Sequence, residues 1–332
     1  MEASLSLPYE QAGTMSHLKN KWFYYGMALV FILALRSPAL AETVQTYRVV
    51  DIGIFMAFLL TGLTLETGRL FEQIRQVRTL LAAAASSLLI MPLATYGLAC
   101  LFFYSRPDYR VGAVIIAAAP VTVVSGTVMT ALARGNVALS LLICVTGNVL
   151  SLLTIPLLLP WLLPLHETVA LPVANLFGRL ALIVLLPTLT GQLLRIKLKD
   201  RVDSATSAMS VFSRLVVLLI IYNAAASSAD PMRESGWEIA GMLIFVIGLH
   251  IFFLLMNYGW ARALRLDRPS RSAFTIHTSQ KTLTVSYVVW AGYFAVDYPM
   301  AMLPGIAYHL TQMLMDGWAA GVFRHKTELS EM

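Results

Sequence analysis

The residues best suited to chemistry stand in the middle of an apolar stretch, where His277, Gln280 and Lys281 are surrounded by hydroxyl side chains. Residues 270–293 otherwise have the composition of a membrane span. Lys281 is about ten residues from either end, roughly 15 Å along a helix. A lysine at that depth costs at least about 2.5–3.5 kcal/mol on insertion scales, so it must face a polar cavity, a partner or a substrate. The pattern therefore predicts a functional site around Lys281.

The composition is that of a polytopic membrane protein. Apolar residues make up 58% of the 332 residues and charged residues only 13%, whereas soluble domains carry about 25% charged residues. The net charge of +6 is interpreted as a topology signal and not as nucleic-acid binding. Cys100 and Cys144 both fall in apolar segments, which favours a packing role.

Apolar windows predict an all-α fold with ten transmembrane helices. Most of the 24 Lys and Arg residues fall in alternate connections, which places both termini in the cytoplasm, with the cell membrane as the expected location. The predicted spans cover residues 22–39, 49–65, 79–104, 110–132, 137–163, 171–194, 208–226, 236–261, 270–293 and 299–323. We expect a disordered tail at residues 1–18, five-helix repeats at 19–165 and 166–323, and a cytoplasmic tail at 324–332.

Five spans per half imply two inverted repeats, so the fourth and ninth spans correspond. Both have polar residues and helix breakers at their middle: Pro120, Ser125, Gly126 and Thr127 in one, and residues 277–284 in the other. Paired interruptions in matching spans indicate a transporter's binding site. The alternative for any single hydroxyl is a hydrogen bond within its own helix or to a neighbouring helix.

Several motifs resemble the bile acid:sodium symporter (BASS/SBF) superfamily. Residues 128–140 resemble its span-four to span-five junction, and residues 148–156 continue that pattern along span five. Ser-Gln-Lys-Thr-Leu at residues 279–283 and Tyr-His-Leu-Thr-Gln at 308–312 resemble the SBF-like branch, which includes the vertebrate seventh member of the bile-acid carrier family. The resemblance extends over residues 22–323.

This resemblance implies a panel domain from spans 1, 2, 6 and 7, and a core domain from spans 3–5 and 8–10 in which broken spans 4 and 9 cross. It also implies alternating access, organic anions as cargo, and Na⁺ or H⁺ as a possible coupling ion, with no other cofactor. The expected substrate-binding residues are Ser125, Gly126, Thr127, His277, Ser279, Gln280, Lys281, Thr282, His309 and Gln312.

The resemblance implies an ion site at Thr127, Ser140, Cys144, Asn148, Gln280 and Lys281. Several of these residues differ from the usual sodium ligands of the family. Gly126 and Thr127 stand where sodium-coupled members usually have Ser-Asn, and Cys144 replaces a threonine. No carboxylate occurs between Asp267 and Asp297, where those members carry a glutamate.

The substitution at residue 281 has a direct electrostatic consequence. Lys281 replaces the asparagine that follows the family's glutamine. We therefore hypothesise that its ammonium substitutes for one sodium ion, so that sodium coupling is reduced, proton-based or absent.

Structural roles are alternatives for the polar residues of these spans. Lys281 could form a salt bridge with Asp316. His309 and Gln312 could serve helix packing, and His277 could be either a proton relay or a hydrogen-bonded core residue.

The sequence thus predicts a secondary active transporter of small organic anions, whose partners are the anion and the lipid bilayer. The sequence shows no Walker loop, catalytic carboxylate pair or metal-ligand cluster that would indicate an enzyme. The alternatives are a regulatory membrane protein without transport, for example in calcium homeostasis, and a sodium-independent exchanger. Nothing in the sequence indicates the oligomeric state.

Overall fold

The computed structural model describes residues 21–65, 76–163 and 172–331, and within these ranges it contains helices and no strands. The predicted tail at residues 1–18 lies outside the described residues. The α-helices are α1 Lys21–Arg36, α2 Ala39–Thr46, α3 Val49–Thr64, α4 Val77–Ala85, α5 Met91–Phe102, α6 Pro107–Ala118, α7 Val124–Leu132, α8 Val137–Leu162, α9 Val173–Leu180, α10 Leu186–Ser227, α11 Ala229–Glu234, α12 Trp237–Ala263, α13 Arg268–Ser279, α14 Leu283–Tyr293 and α15 Leu303–Glu331. Single π turns at Ser86–Ile90 and Ala181–Leu185 join α4 to α5 and α9 to α10, and a 3₁₀ turn, Pro299–Met302, precedes α15.

Several of these helices suit a membrane protein, as the composition predicts. Four in the described part of the chain are long and apolar enough to cross a bilayer: Val77–Phe102, Val137–Leu162, Val173–Ser227 and Trp237–Ala263. A fifth is formed if α1 and α2, which meet at 103°, count as one broken span. The 12-residue α6 and α13 and their shorter continuations α7 and α14 cannot span alone. The ten-span inverted repeat stays a prediction.

The connection between the predicted spans 171–194 and 208–226 is itself helical, because α10 continues from Leu186 to Ser227. The intervening residues 195–207 contain no glycine or proline that would end a helix, and six of the thirteen are charged.

The helix α10 nevertheless cannot be straight. A Cβ on Gly62 would lie 2.1 Å from the Thr188 carbonyl oxygen, and one on Gly53 would lie 3.3 Å from the Val216 side chain. These contacts are about 14 Å apart along α3, whereas 28 residues of straight helix would separate Thr188 from Val216 by about 42 Å. Hence α10 folds back and packs both its arms against α3.

The π turn in the third predicted span leaves a main-chain acceptor without its usual donor. The Met91 N–H group bonds to the Ser86 carbonyl instead of the Ser87 carbonyl. The next residue, Pro92, has no N–H group. The Ser87 carbonyl is therefore available to a side chain from another helix, and π turns often occur at such functional positions.

Candidate substrate and ion site

Both predicted helix interruptions are present, and they touch. The helix α6 ends before Ala119, which is extended (ψ 152°) because Pro120 follows it. The helix α13 ends before Gln280, which is also extended (ψ 153°). The Thr282 N–H group donates a hydrogen bond to the Pro120 carbonyl oxygen at 2.9 Å. The polar residues of the two breaks are thereby brought together.

The amine of Lys281 is enclosed by oxygen atoms. Its Nζ donates to the Ser87 carbonyl at 2.5 Å, the Ser87 hydroxyl at 2.9 Å and the Ala119 carbonyl at 2.9 Å. These three acceptors match the three donors of an ammonium group. The side chain is 0% exposed, so the amine is enclosed where the α4–α5 π turn meets the end of α6.

The main chain of Lys281 is held from α15. The Gln312 side-chain oxygen accepts the Lys281 N–H at 2.8 Å, and the Gln312 amide nitrogen lies 2.9 Å from the Lys281 carbonyl. The same amide nitrogen is 3.0 Å from Nδ1 of His309. Gln312 therefore fixes the break between α13 and α14, and it is fully buried.

The salt bridge considered between Lys281 and Asp316 is absent. One carboxylate oxygen of Asp316 is 2.9 Å from Nε2 of His250, and the other accepts a hydrogen bond from the Gln280 amide at 2.7 Å. The Nζ atom of Lys281 instead contacts the oxygens of Ser87 and Ala119. The carboxylate of Asp316 is thus paired within α12 and α15, on the Gln280 side of the break.

Gln280 connects this buried carboxylate to the other broken helix. Its side-chain oxygen accepts hydrogen bonds from the hydroxyl of Thr122 and, at 2.9 Å, from that of Ser125. Its amide nitrogen donates to Asp316. Gln280 itself is fully buried, whereas Thr122 and Ser125 line a cavity.

His277 is a hydrogen-bonded residue packed against the other break. Its Nε2 lies 2.7 Å from the Thr122 carbonyl, which can only accept, so Nε2 carries the hydrogen. Its Nδ1 then accepts from the Ser140 hydroxyl. A Cβ on Gly126 would lie 2.6 Å from the imidazole ring, so glycine at this position makes room for the ring.

The residues expected to bind sodium do not present an oxygen cage. The Ser140 hydroxyl is bonded to the His277 ring and accepts from Thr130 at 3.1 Å. The amide nitrogen of Asn148 faces the Cys144 sulfur at 3.4 Å, so a donor points where an ion would need an acceptor. Thr127 donates to the Val123 carbonyl of its own turn. This arrangement does not fit a sodium ion, whose usual ligands are carbonyl, hydroxyl and carboxylate oxygens.

A cavity of about 130 Å³ lies beside the two breaks. Of the residues expected to bind substrate, it is lined by Ser125, Thr282 and His309. Thr127 is half-buried in α7. The opposite wall of the cavity of about 130 Å³ comes from residues of α1, α3 and α10. Several of these wall residues also line a wider cavity of about 600 Å³. The remaining expected residues, Gly126, His277, Ser279, Gln280, Lys281 and Gln312, are buried in the described structure.

Three important residues were not among the predicted site residues. Ser87 could have been suspected only from Pro92 in a predicted span. Thr122 lies between Pro120 and Ser125 of the first interruption and bonds to Gln280. Arg214, an ionisable residue in a predicted span, lines both cavities. An arginine within a predicted membrane span is itself an indication of a functional site.

Interrupted apolar helices that meet beside a polar cavity are typical of membrane transporters. The model of the SBF-like CPA transporter family matches residues 21–325. The chain belongs to this family, which confirms the resemblance drawn from the motifs.

Curated relatives agree with this assignment. The chain is 25% identical over 317 residues to the uncharacterized sodium-dependent transporter YocS of Bacillus subtilis (strain 168), covering 95% of this chain and 94% of the relative. It is 25% identical over 321 residues to sodium/bile acid cotransporter 7-B of Xenopus laevis, covering 91% of each. It is 26% identical over 312 residues to the probable chloroplastic sodium/metabolite cotransporter BASS4 of Oryza sativa subsp. indica, covering 89% and 74%. The protein is thus a membrane transporter of this family and not an enzyme.

Proposed function

We propose that this protein is a secondary transporter that moves small organic anions by alternating access. The observation that carries the proposal is the cavity of about 130 Å³ between the two touching helix breaks and the helices α1, α3 and α10. Its hydroxyl groups and the N-termini of α7 and α14 offer hydrogen-bond donors and positive dipole ends. The names of the relatives, which include a bile acid and a metabolite cotransporter, support an organic cargo.

For the architecture, we propose ten spans in two inverted five-helix repeats, residues 19–165 and 166–323. The broken spans 4 and 9 correspond to α6–α7 and α13–α14. The packing of α10 against α1 and α3 supports a panel domain distinct from a core domain built around α13. Both termini would face the cytoplasm of a cell membrane, following the distribution of Lys and Arg.

Alternating access is supported by a difference between the two ends of the second arm of α10, the arm that contains Val216. At one end, Ser210, Ser213 and Arg214 line the cavities. At the other end, Asn223 accepts a hydrogen bond from the Tyr287 hydroxyl of α14 at 2.7 Å. These contacts suit a state that is closed at the Asn223 end and open at the other.

For coupling, we propose that the Lys281 ammonium takes the place of a sodium ion. Its three oxygen partners, two carbonyls and one hydroxyl, are the ligand types that an alkali ion would use. A covalently attached cation cannot be released with the cargo. This favours sodium-independent exchange over symport, although relatives carry names that include sodium.

Counterflow in proteoliposomes tests the proposal. Vesicles containing the purified protein would be loaded with an unlabelled carboxylate and diluted into a trace of the same labelled anion, with sodium or with choline. We expect transient label accumulation in both media, above that in protein-free vesicles. Absence of flux for a broad panel of organic anions would contradict the proposal and favour a regulatory protein that retains the fold.

A further inference from the structure

Arg214 on α10 occupies a wall of the cavity that faces the helix breaks. It lines the inner cavity of about 130 Å³ and the wider cavity of about 600 Å³. Its guanidinium carbon lies 6.0 Å from the centre of the Phe23 ring. The aromatic face helps to orient the guanidinium group. Arg214 was not among the residues that the sequence singled out for binding.

We propose that Arg214 is the anion-recognition residue of this transporter, and that the cargo is a small monocarboxylate with an apolar body. The proposal rests on the proposed transport function and assigns its binding residue and substrate class. Among the described residues that line the two cavities, Arg214 is the one side chain with a permanent charge. A guanidinium group presents a planar fork of donors that matches a carboxylate.

The opposite wall supplies further donors for the same carboxylate. The first turns of α7 and α14 reach the cavity through Ser125 and Thr284. The Gly126 N–H group in the first turn of α7 donates to the Thr122 hydroxyl at 3.3 Å, whereas the N-cap residue of α14 makes no side-chain cap hydrogen bond. Uncapped N–H groups and the positive end of a helix dipole favour a negative group. The guanidinium and both helix ends therefore act on one ligand from opposite sides of the cavity.

The remaining walls set the size and polarity of the cargo. Apolar side chains, among them Phe58, Val128, Leu283 and Met313, line the inner cavity. A volume of about 130 Å³ approaches that of the roughly 150 Å³ cavities that hold benzene. The described walls of the two cavities hold one permanently charged side chain, so a second carboxylate on the cargo would find no second cation there.

Benzoate is the matched probe, with benzyl alcohol as a neutral analogue and phthalate as a dianion. Binding would be measured as ligand-dependent thermal stabilisation of the purified full-length protein. We expect wild type to be stabilised by benzoate more than by either analogue. Arg214→Gln should weaken benzoate binding at least about tenfold, because a charge-assisted pair is lost. Arg214→Lys keeps the positive charge but lacks the planar fork of donors, so its benzoate affinity should lie between those of wild type and Arg214→Gln.

The matched control is Arg201→Gln, an exposed arginine on the same helix, which should bind benzoate as wild type does. Equal benzoate affinity in wild type and Arg214→Gln overturns the inference, as does equal binding of benzyl alcohol and benzoate. If Arg214→Gln does not fold, the comparison of Arg214→Lys with wild type decides, and unchanged affinity in the lysine variant overturns the inference.

Benzoate counterflow separates the two levels of the account. Wild-type exchange of benzoate that Arg214→Gln retains at the same half-saturating concentration refutes the role of Arg214 and leaves the transport function standing. If organic anions are exchanged but neither benzoate nor butyrate binds, the monocarboxylate class is refuted. If no organic anion binds or moves, both the inference and the proposed function fail.

Discussion

Gly126→Ala should destabilise the protein by about 1–3 kcal/mol, because the added methyl group has no space. The Cβ would lie 2.6 Å from two atoms of the His277 ring, about 1 Å closer than ordinary carbon contacts. The ring cannot move away freely, since Nε2 bonds to the Thr122 carbonyl and Nδ1 to Ser140. Losing both hydrogen bonds costs roughly 1–3 kcal/mol, and shifting the backbone instead costs a similar amount.

The assay is reversible unfolding in mixed micelles, with Gly97→Ala as the control because nothing lies within 4 Å of its new Cβ. A double-mutant cycle with His277→Ala makes the test specific. If the ring is the obstacle, the penalty of Gly126→Ala should largely disappear once the ring is removed. A Gly126→Ala protein as stable as Gly97→Ala, or a penalty that persists without the ring, would refute the reasoning.

Two further changes test the packing of α10. Gly62→Ala should lower the thermal midpoint sharply, because its Cβ would lie 2.1 Å from the Thr188 carbonyl oxygen. Gly241→Ala, with nothing within 4 Å of its new Cβ, should leave the midpoint unchanged, and equal midpoints for the two variants would contradict the packing of the Thr188 arm of α10 against α3. Tyr287→Phe removes the hydrogen bond to Asn223, which is worth about 0.5–1.5 kcal/mol. The variant should increase the labelling of a cysteine introduced into the cavity by a reagent added from the Asn223 side. Unchanged labelling would show that this contact does not close the cavity.

The interruptions were predictable because their causes are local. A proline disfavours the helical conformation of the residue before it, so Pro120 indicates a break at Ala119. Clustered hydroxyls around Lys281 mark a segment that is unstable as a lipid-facing helix. The identity of the SBF-like family followed from the same segments.

The partners of Lys281 were not predictable in the same way. Its acceptor on Ser87 depends on a π turn, in which the Met91 N–H group bonds to Ser86 and Pro92 contributes no donor. The helical connection between the predicted spans 171–194 and 208–226 was also missed, because the apolar windows end at its charged residues, whereas α10 continues through it and packs against α3. Such features depend on neighbouring helices rather than on local sequence.

The sodium dependence of uptake, compared between wild type and Lys281→Ala in proteoliposomes, tests the central claim most directly. We predict that wild type exchanges its anion equally in sodium and in choline. Lys281→Ala, which leaves the Ser87 and Ala119 oxygens without their cation, should be slow in choline and accelerated by sodium. Uptake that requires sodium in wild type and keeps the same sodium dependence in Lys281→Ala would contradict the substitution of the lysine ammonium for the ion.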